Sequence, residues 1–229
     1  MKCVIFNADD FGASSGVNRG IVEAHTRGVV TSTSMMVTGA AVDEAVRMST
    51  AHPDLAVGLH FDVWGEDTRD FDMDDLAAVR RELTDQLARF NDLMGRDPTH
   101  VDSHKHAHRS PGAMDIFQEL VGPLDVPIRD DGRVAYIGGF YAQWEWKVTD
   151  LGHVSIDALT AILETETAEG WSEIGCHPGY RSADYESVYL LEREHEVETL
   201  TDPRVRGVLS ENHIELKSYA DYRQWALTS

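Results

Sequence analysis

Short apolar runs alternate with amphipathic stretches along most of the chain. Residues 2–8 form an apolar run ending in Asp9-Asp10-Phe11-Gly12, which predicts a buried strand closing on a turn. Ser14-Ser15-Gly16 opens a helical pattern through Val17, Ile21, Val22 and Ala24, with Gly28 as its stop. Further strands are predicted at 34–37, 55–61, 98–103, 126–129, 171–177 and 213–217. Helices are predicted at 40–49, 75–94, 112–121 and 155–169. The second of these carries Leu76, Val79, Leu83, Leu87, Phe90 and Leu93 at spacings of three and four. Strands alternating with helices predict parallel βαβ units in an α/β fold. No internal repeat or low-complexity linker interrupts the pattern, so one domain over residues 1–229 is expected.

The distinctive polar residues fall just after the strands: Asp9-Asp10, His60, the histidines after Val101, and His177. In parallel α/β folds, sites assemble at the C-terminal strand ends, where separate loops converge. Four strands delivering such residues to one edge favour a barrel-like sheet, with a flat doubly wound sheet as the alternative. Phe11-Gly12-Ala13-Ser14-Ser15-Gly16 carries neither the dinucleotide fingerprint nor a Walker lysine.

Composition narrows the function. With 40 acidic and 20 basic residues the net charge is −20, which repels phosphate backbones and anionic lipid. No nucleic-acid or membrane partner is therefore expected. The chain is 42% hydrophobic, enough for a packed core. No apolar run approaches the roughly 20 residues that span a bilayer. The N-terminal apolar run is too short for a signal peptide and has the wrong flanks. Cys3 and Cys176 make no disulfide framework, so a soluble cytoplasmic protein is expected. Alternation along its strand places Cys176 in the packing rather than in a nucleophilic role.

Two adjacent carboxylates, Asp9 and Asp10, would repel each other if buried unpaired, and a divalent cation relieves that cost. One can bind the metal while the other accepts a proton from water. The residues alone do not say which. His60 gains meaning only if other ligands converge on it. Residues 100–108 hold four histidines and Asp102. An extended chain would put Asp102, His104, His106 and His108 on one face, although at about 3.3 Å per residue only one or two imidazoles reach a single ion. A helical turn would instead pair His104 with His108. Asp102 is suited to orient a ligand imidazole. His177, before Pro178-Gly179, sits on a rigid turn from which it could protonate a leaving group. This mixed O/N set suits Mg²⁺, Mn²⁺ or Zn²⁺ and argues against a structural zinc or iron–sulfur centre.

These residues resemble the YdjC/ChbG-like family of carbohydrate deacetylases. The carrying segments are Asn7-Ala8-Asp9-Asp10-Phe11-Gly12, Val30-Thr31-Ser32-Thr33-Ser34 and Gly58-Leu59-His60-Phe61. They continue with Arg96-Asp97-Pro98-Thr99-His100-Val101-Asp102-Ser103-His104, Cys176-His177-Pro178-Gly179 and Leu216-Lys217-Ser218-Tyr219. The resemblance implies a distorted (β/α) barrel of mainly parallel strands, like that of polysaccharide deacetylases. It implies a divalent-metal hydrolase that removes acetyl groups from N-acetylated sugars or short oligosaccharides. Asp10, His60 and His104 would be the metal ligands, Asp9 the general base and His177 the general acid. One divalent ion is implied, Mg²⁺ by resemblance, with Zn²⁺, Mn²⁺ or Co²⁺ as alternatives. The partner would be a small N-acetylated sugar, and a homo-oligomer is compatible with this reading.

The sequence departs from the family where Lys105 separates His104 from His106, and where residues 62–75 carry seven acids against Arg69 alone. That run reads as a solvated face, or as a lid favouring a cationic glycan. Residues 138–146 are rich in glycine and aromatics, suited to sugar stacking or to ordinary packing. Two other functions stand beside the leading one. A metal-free glycoside hydrolase would use two carboxylates such as Asp62 and Glu173. A non-catalytic metal-binding barrel would keep the ligands without the chemistry.

Overall fold

A computed structural model describes residues 1–65 and 68–228; Glu66 and Asp67 of the acidic run lie outside the described residues. Strand β1 (Lys2–Phe11) is buried along nearly its whole length and lies at the centre of the sheet. It is flanked by β2 (Ser32–Met35), then β3 (Ala56–Phe61) and β4 (Val101–Ser103) on one side. On the other side lie β6 (Gly170–Cys176) and β5 (Ala135–Ile137). β7 (Ile214–Lys217) pairs with Lys2–Ile5, on the edge of β1 that β2 takes up from Asn7 onward. Every strand pairing is parallel. The α/β barrel expected from the sequence is present, and it is distorted. Its wall is incomplete between β4 and β5, where Val101 makes an isolated parallel bridge to Ile128.

The helices follow the apolar pattern where that pattern is strong. In α1 (Ser15–Arg27), Ser14 caps the first turn through Val17 N, and Val17, Ile21 and Ala24 are buried. α2 spans Val42–Ala51, α4 Ala113–Val121 and α5 Ile156–Thr165. α3 (Leu76–Met94) is capped by Asp75 and ends at Gly95 in the left-handed conformation, φ 65°. It buries Val79, Leu83 and Phe90, while Leu76 is 41% exposed.

Three helices carry no apolar signal strong enough to predict them: α6 (Leu191–Leu200), α7 (Pro203–Glu211) and α8 (Tyr219–Ala226). α6 buries Glu192, Arg193 and Glu196 alongside Val197 and Leu200, so its inner face is largely charged. The strand expected at 126–129 is reduced to the single bridge at Ile128, and β5 forms instead a few residues later. Pro127 has no N–H to extend a ladder, and Asp130 turns away with φ 70°.

Glycines let α1 approach the loop after β6. A Cβ on Gly20 would lie 2.4 Å from Gly179 Cα, and one on Gly16 would lie 1.9 Å from Tyr180 O. Tyr180 N donates to Gly16 O at 3.0 Å, so the Pro178-Gly179-Tyr180 turn is clamped against the helix. Among the described residues no helix is long and apolar enough to cross a membrane.

Candidate metal and catalytic site

The C-terminal ends of β1, β3, β4 and β6 open into a cleft of about 410 Å³. Asp9, Asp10, His60, His104 and His177 all line it, so the five residues singled out in the sequence converge. A larger cavity, about 640 Å³, lies near the starts of β3 and β4 and has no histidine in its wall.

Adjacent residues on a regular strand point to opposite faces. Asp9 and Asp10 escape this rule because β1 carries a bulge: its register against β2 shifts between Ala8 and Phe11. Asp10 adopts φ 72°, a left-handed conformation that turns its carboxylate into the cleft beside that of Asp9.

Asp10 Oδ1 lies 3.2 Å from His60 Nε2 and 3.2 Å from His104 Nδ1. Its other oxygen accepts from Arg193 Nη2 at 2.5 Å. His60 is fixed from behind. Its Nδ1 faces Asp102 Oδ1 at 2.6 Å and Ser34 Oγ at 3.2 Å. His60 Nε2, fully buried, faces Asp10 Oδ1 at 3.2 Å without the geometry of a good hydrogen bond. A carboxylate behind the ring and a nitrogen turned toward a second carboxylate in front form the arrangement of a metal-ligating histidine.

The donor set fits a divalent cation. One donor atom from each of Asp10, His60 and His104 falls within 4.8 Å of the others. Around the trio the carboxylates of Asp9, Asp10, Asp102 and Glu173 are buried against the guanidiniums of Arg129 and Arg193. That imbalance is costly without further positive charge.

Arg129, like Arg193 and Glu196, is not among the site residues expected from the sequence. It ends the segment bridged to β4 and is fully buried. Its Nη1 and Nη2 hold the two oxygens of Asp9 at 2.8 Å each. The same guanidinium reaches Asp102 Oδ2 at 2.8 Å and donates through Nε to Glu173 Oε1 at 3.0 Å. Burial alone would raise the Asp9 pKa, but the charge of Arg129 overrides it and holds the carboxyl well below its ordinary range. Glu173 also accepts from Tyr219 Oη at 2.6 Å, which ties β6 to α8 beneath the site. The only sequence signal for Arg129 was a charge at the end of an apolar run, on the edge where the other site residues gather.

His177 Nε2 stands 3.8 Å from Asp9 Oδ2, near enough for attraction and too far for a hydrogen bond. Burial pushes this imidazole below its ordinary value, against the pull of Asp9. Its backbone N–H donates to Glu196 Oε2, and Tyr189 Oη donates to Glu196 Oε1 at 2.6 Å. Burial raises the Glu196 carboxyl to about 8 despite these donors.

A raised folded pKa means a contribution to stability that is complete below the unfolded value of 4.5 and lost as pH rises through 8. The shift corresponds to at most roughly 5 kcal/mol. Urea midpoints at pH 5.5 and 8.5 should therefore fall further for the natural chain than for Glu196→Gln. Equal falls would rule out this role for Glu196.

The remaining histidines of residues 100–108 follow neither pattern weighed from the sequence. Lys105 and His106 both adopt left-handed backbone, φ 49° and 52°, so the chain there is neither extended nor regularly helical. His108 is turned away to Ser103 Oγ (2.5 Å) and Asp130 (3.0 Å), where it braces the turn. His106 lines the cleft without joining the trio. His100 packs flat on Tyr219, with ring centroids 3.8 Å apart. Cys176 is buried, and its Sγ lies 3.3 Å from Asn7 O, consistent with packing.

Among the described residues, the acidic run contributes only Arg69 to the cleft wall, so no acidic lid for a cationic glycan is seen there. Glu173 is sealed beneath Arg129 and Tyr219, and Asp62 does not line the cleft. The described cleft carboxylates are thus Asp9 and Asp10 alone, next to each other and both held by arginine. A two-carboxylate glycosidase needs one of its pair protonated as the acid, and the arginines hold both of these well below the ordinary carboxylate range, against the pull of burial, so the site does not serve that chemistry.

Comparison with known proteins agrees with this architecture. A protein from Enterococcus faecalis described as a "putative cellobiose-phosphate cleavage protein" superimposes with a TM-score of 0.81 at 26% identity, covering 96% of this chain and 98% of that one. A family 4 carbohydrate esterase from Streptomyces lividans gives 0.58 at 14% identity, covering 93% and 90%. A polysaccharide deacetylase from Bacillus cereus gives 0.60 at 13% identity, covering 96% and 92%. The last two share the fold. The family model described as YdjC-like protein matches residues 3–211. The chain belongs to the YdjC-like protein family.

Proposed function

We propose that this protein is a divalent-cation-dependent hydrolase that removes acetyl groups from N-acetylated sugars, acting as one domain. The observation that carries the reading is the joint geometry of the ligand trio and its flanking pair. Asp10, His60 and His104 bring three donors within 4.8 Å of one another, and Asp9 and His177 face each other across 3.8 Å in the same cleft. A binding-only barrel has no need of that second pair. Membership of the YdjC-like family supports the reading, as do the sugar-directed descriptions of the Enterococcus and Streptomyces proteins.

Bound at the trio, a divalent cation supplies Lewis acidity toward an amide carbonyl and lowers the pKa of water. The chain's own residues do the rest. Asp9, fixed at both oxygens by Arg129, accepts the proton of the attacking water. Once His177 has given its own proton to the leaving amine, the proton on Asp9 passes to it across 3.8 Å, so the pair ends as it began. His177 delivers a proton to the sugar nitrogen as the C–N bond breaks, so that the amine leaves neutral rather than as an anion. His60 is kept in the right tautomer by Asp102. Mg²⁺ is the cation we propose, with Zn²⁺, Mn²⁺ and Co²⁺ as alternatives that an O/N site accepts. The cytoplasm is the proposed location. Acetate release from a panel of N-acetylated sugars tests the reading. Release is expected, and none with any cation would refute it.

A further inference from the structure

The turn after β4 holds ligand-type side chains that the chemistry above does not use. Lys105 and His106 both take left-handed backbone, a costly conformation for residues with a Cβ. Across this bend the His106 and His108 rings stand 5.9 Å apart and 78° from parallel. His60 and His104, the imidazoles of the trio, stand in nearly the same relation, 5.7 Å and 71°. Asp130 joins the pair from the segment between β4 and β5. Donor atoms of His106, His108 and Asp130 fall within 4.8 Å of one another.

His108 is fully buried, and its Nδ1 meets Ser103 Oγ at 2.5 Å, which fixes the ring. Its Nε2 then faces Asp130 Oδ2 at 3.0 Å. Ligand atoms around a tetrahedral ion stand about 3.3 Å apart, close to that separation. His106 Nδ1 is buried with no hydrogen-bond partner among the described residues. The Asp130 side chain is 29% exposed, which gives an ion a way in. Arg109 Nε donates to Asp130 Oδ2 at 2.7 Å, from a side chain that is 47% exposed and can turn out into water. Arg129, which packs on the same Tyr136 ring as Arg109, is already committed to Asp9, Asp102 and Glu173. The position also gives an ion a use. The barrel wall is open here, and the segment before β5 is tied to β4 by Val101 N to Pro127 O at 2.9 Å and Arg129 N to Val101 O at 3.0 Å. An ion on His106, His108 and Asp130 would join the two sides just past these bonds.

We propose that His106, His108 and Asp130 form a second cation site, a structural clasp across the open seam of the barrel that prefers Zn²⁺ to Mg²⁺. It shares no residue with the trio and does not depend on the deacetylase reading. Two imidazoles and one carboxylate suit Zn²⁺, whereas Mg²⁺ favours oxygen ligands and keeps its waters. Arg109 competes for Asp130, so this is the weaker of the two sites and fills after the trio.

Calorimetric titration of the metal-stripped full chain with Zn²⁺, and separately with Mg²⁺, tests this. Zn²⁺ should give a tight event and a weaker one, each of one ion per chain, and Mg²⁺ a single event. Asp130→Asn and His106→Asn should each weaken the second Zn²⁺ event at least about tenfold and leave the first unchanged. Both positions have left-handed backbone, which asparagine tolerates, so these variants should fold. Arg109→Gln should tighten the second event by about severalfold, since a competing positive charge is gone. Excess Zn²⁺ should also raise the melting temperature of the natural chain more than that of Asp130→Asn. A second event that survives both variants, a second Mg²⁺ event of equal strength, equal gains in melting temperature, or no Zn²⁺ event that either variant weakens would overturn the proposal. A lone Zn²⁺ event lost in Asp130→Asn would uphold the clasp and refute the trio.

Discussion

Replacing Arg129 with methionine should destabilise the protein by about 3–5 kcal/mol, because three buried carboxylates would lose their shared counter-charge. Methionine matches the length of the side chain but offers no donor. Asp9, Asp102 and Glu173 would then stay ionised in a region of low polarity, or take up protons and abandon their hydrogen bonds. Arg129→Lys keeps the charge as a single compact point and cannot hold both oxygens of Asp9 while reaching Glu173. That variant should fold, with a smaller drop in its urea midpoint and a clear loss of activity. A methionine variant as stable as the natural chain would mean that the buried cluster is balanced in some other way.

Asp9→Asn should lower the rate of acetate release by about 10²–10⁴-fold, the range for removal of a general base. The shape of the side chain is kept but one of its two acceptors for Arg129 is lost, so the urea midpoint should drop while the fold holds. Its neighbour Asp10 should behave differently. Asp9→Asn leaves Asp10, His60 and His104 in place, and cation affinity should stay within a few-fold of the natural chain. Asp10→Asn removes one ligand of three, so the cation itself should be lost. Calorimetric titration of both variants, set beside their rates, separates base from ligand. Equal loss of the cation in both would mean that the two carboxylates share one role.

The alternation of strands and helices was legible because apolar period and capping residues agree, as at Ser14, Asp75 and Gly95. So was the edge on which the site forms. The bulge was not, since nothing in Asn7-Ala8-Asp9-Asp10-Phe11-Gly12 fixes φ 72° at Asp10. Its consequence, both carboxylates in one cleft, was anticipated from the chemistry of adjacent acids. α6 was invisible because its buried face is built from Glu192, Arg193 and Glu196, which apolar periodicity reads as surface. The same reason hid Arg129, which carboxylates from three strands surround, and Arg193, which reaches Asp10 of β1. His106 and His108 went astray through a local cause, the left-handed pair at Lys105 and His106.

The most direct measurement is acetate release by protein stripped of metal and reloaded with Mg²⁺, Mn²⁺, Co²⁺ or Zn²⁺, with cation content measured in parallel. The trio predicts no release from stripped protein, recovery at one cation per chain, and loss of both cation and release in His60→Ala. Full release by the stripped protein, or a cation held as tightly by His60→Ala as by the natural chain, would contradict it.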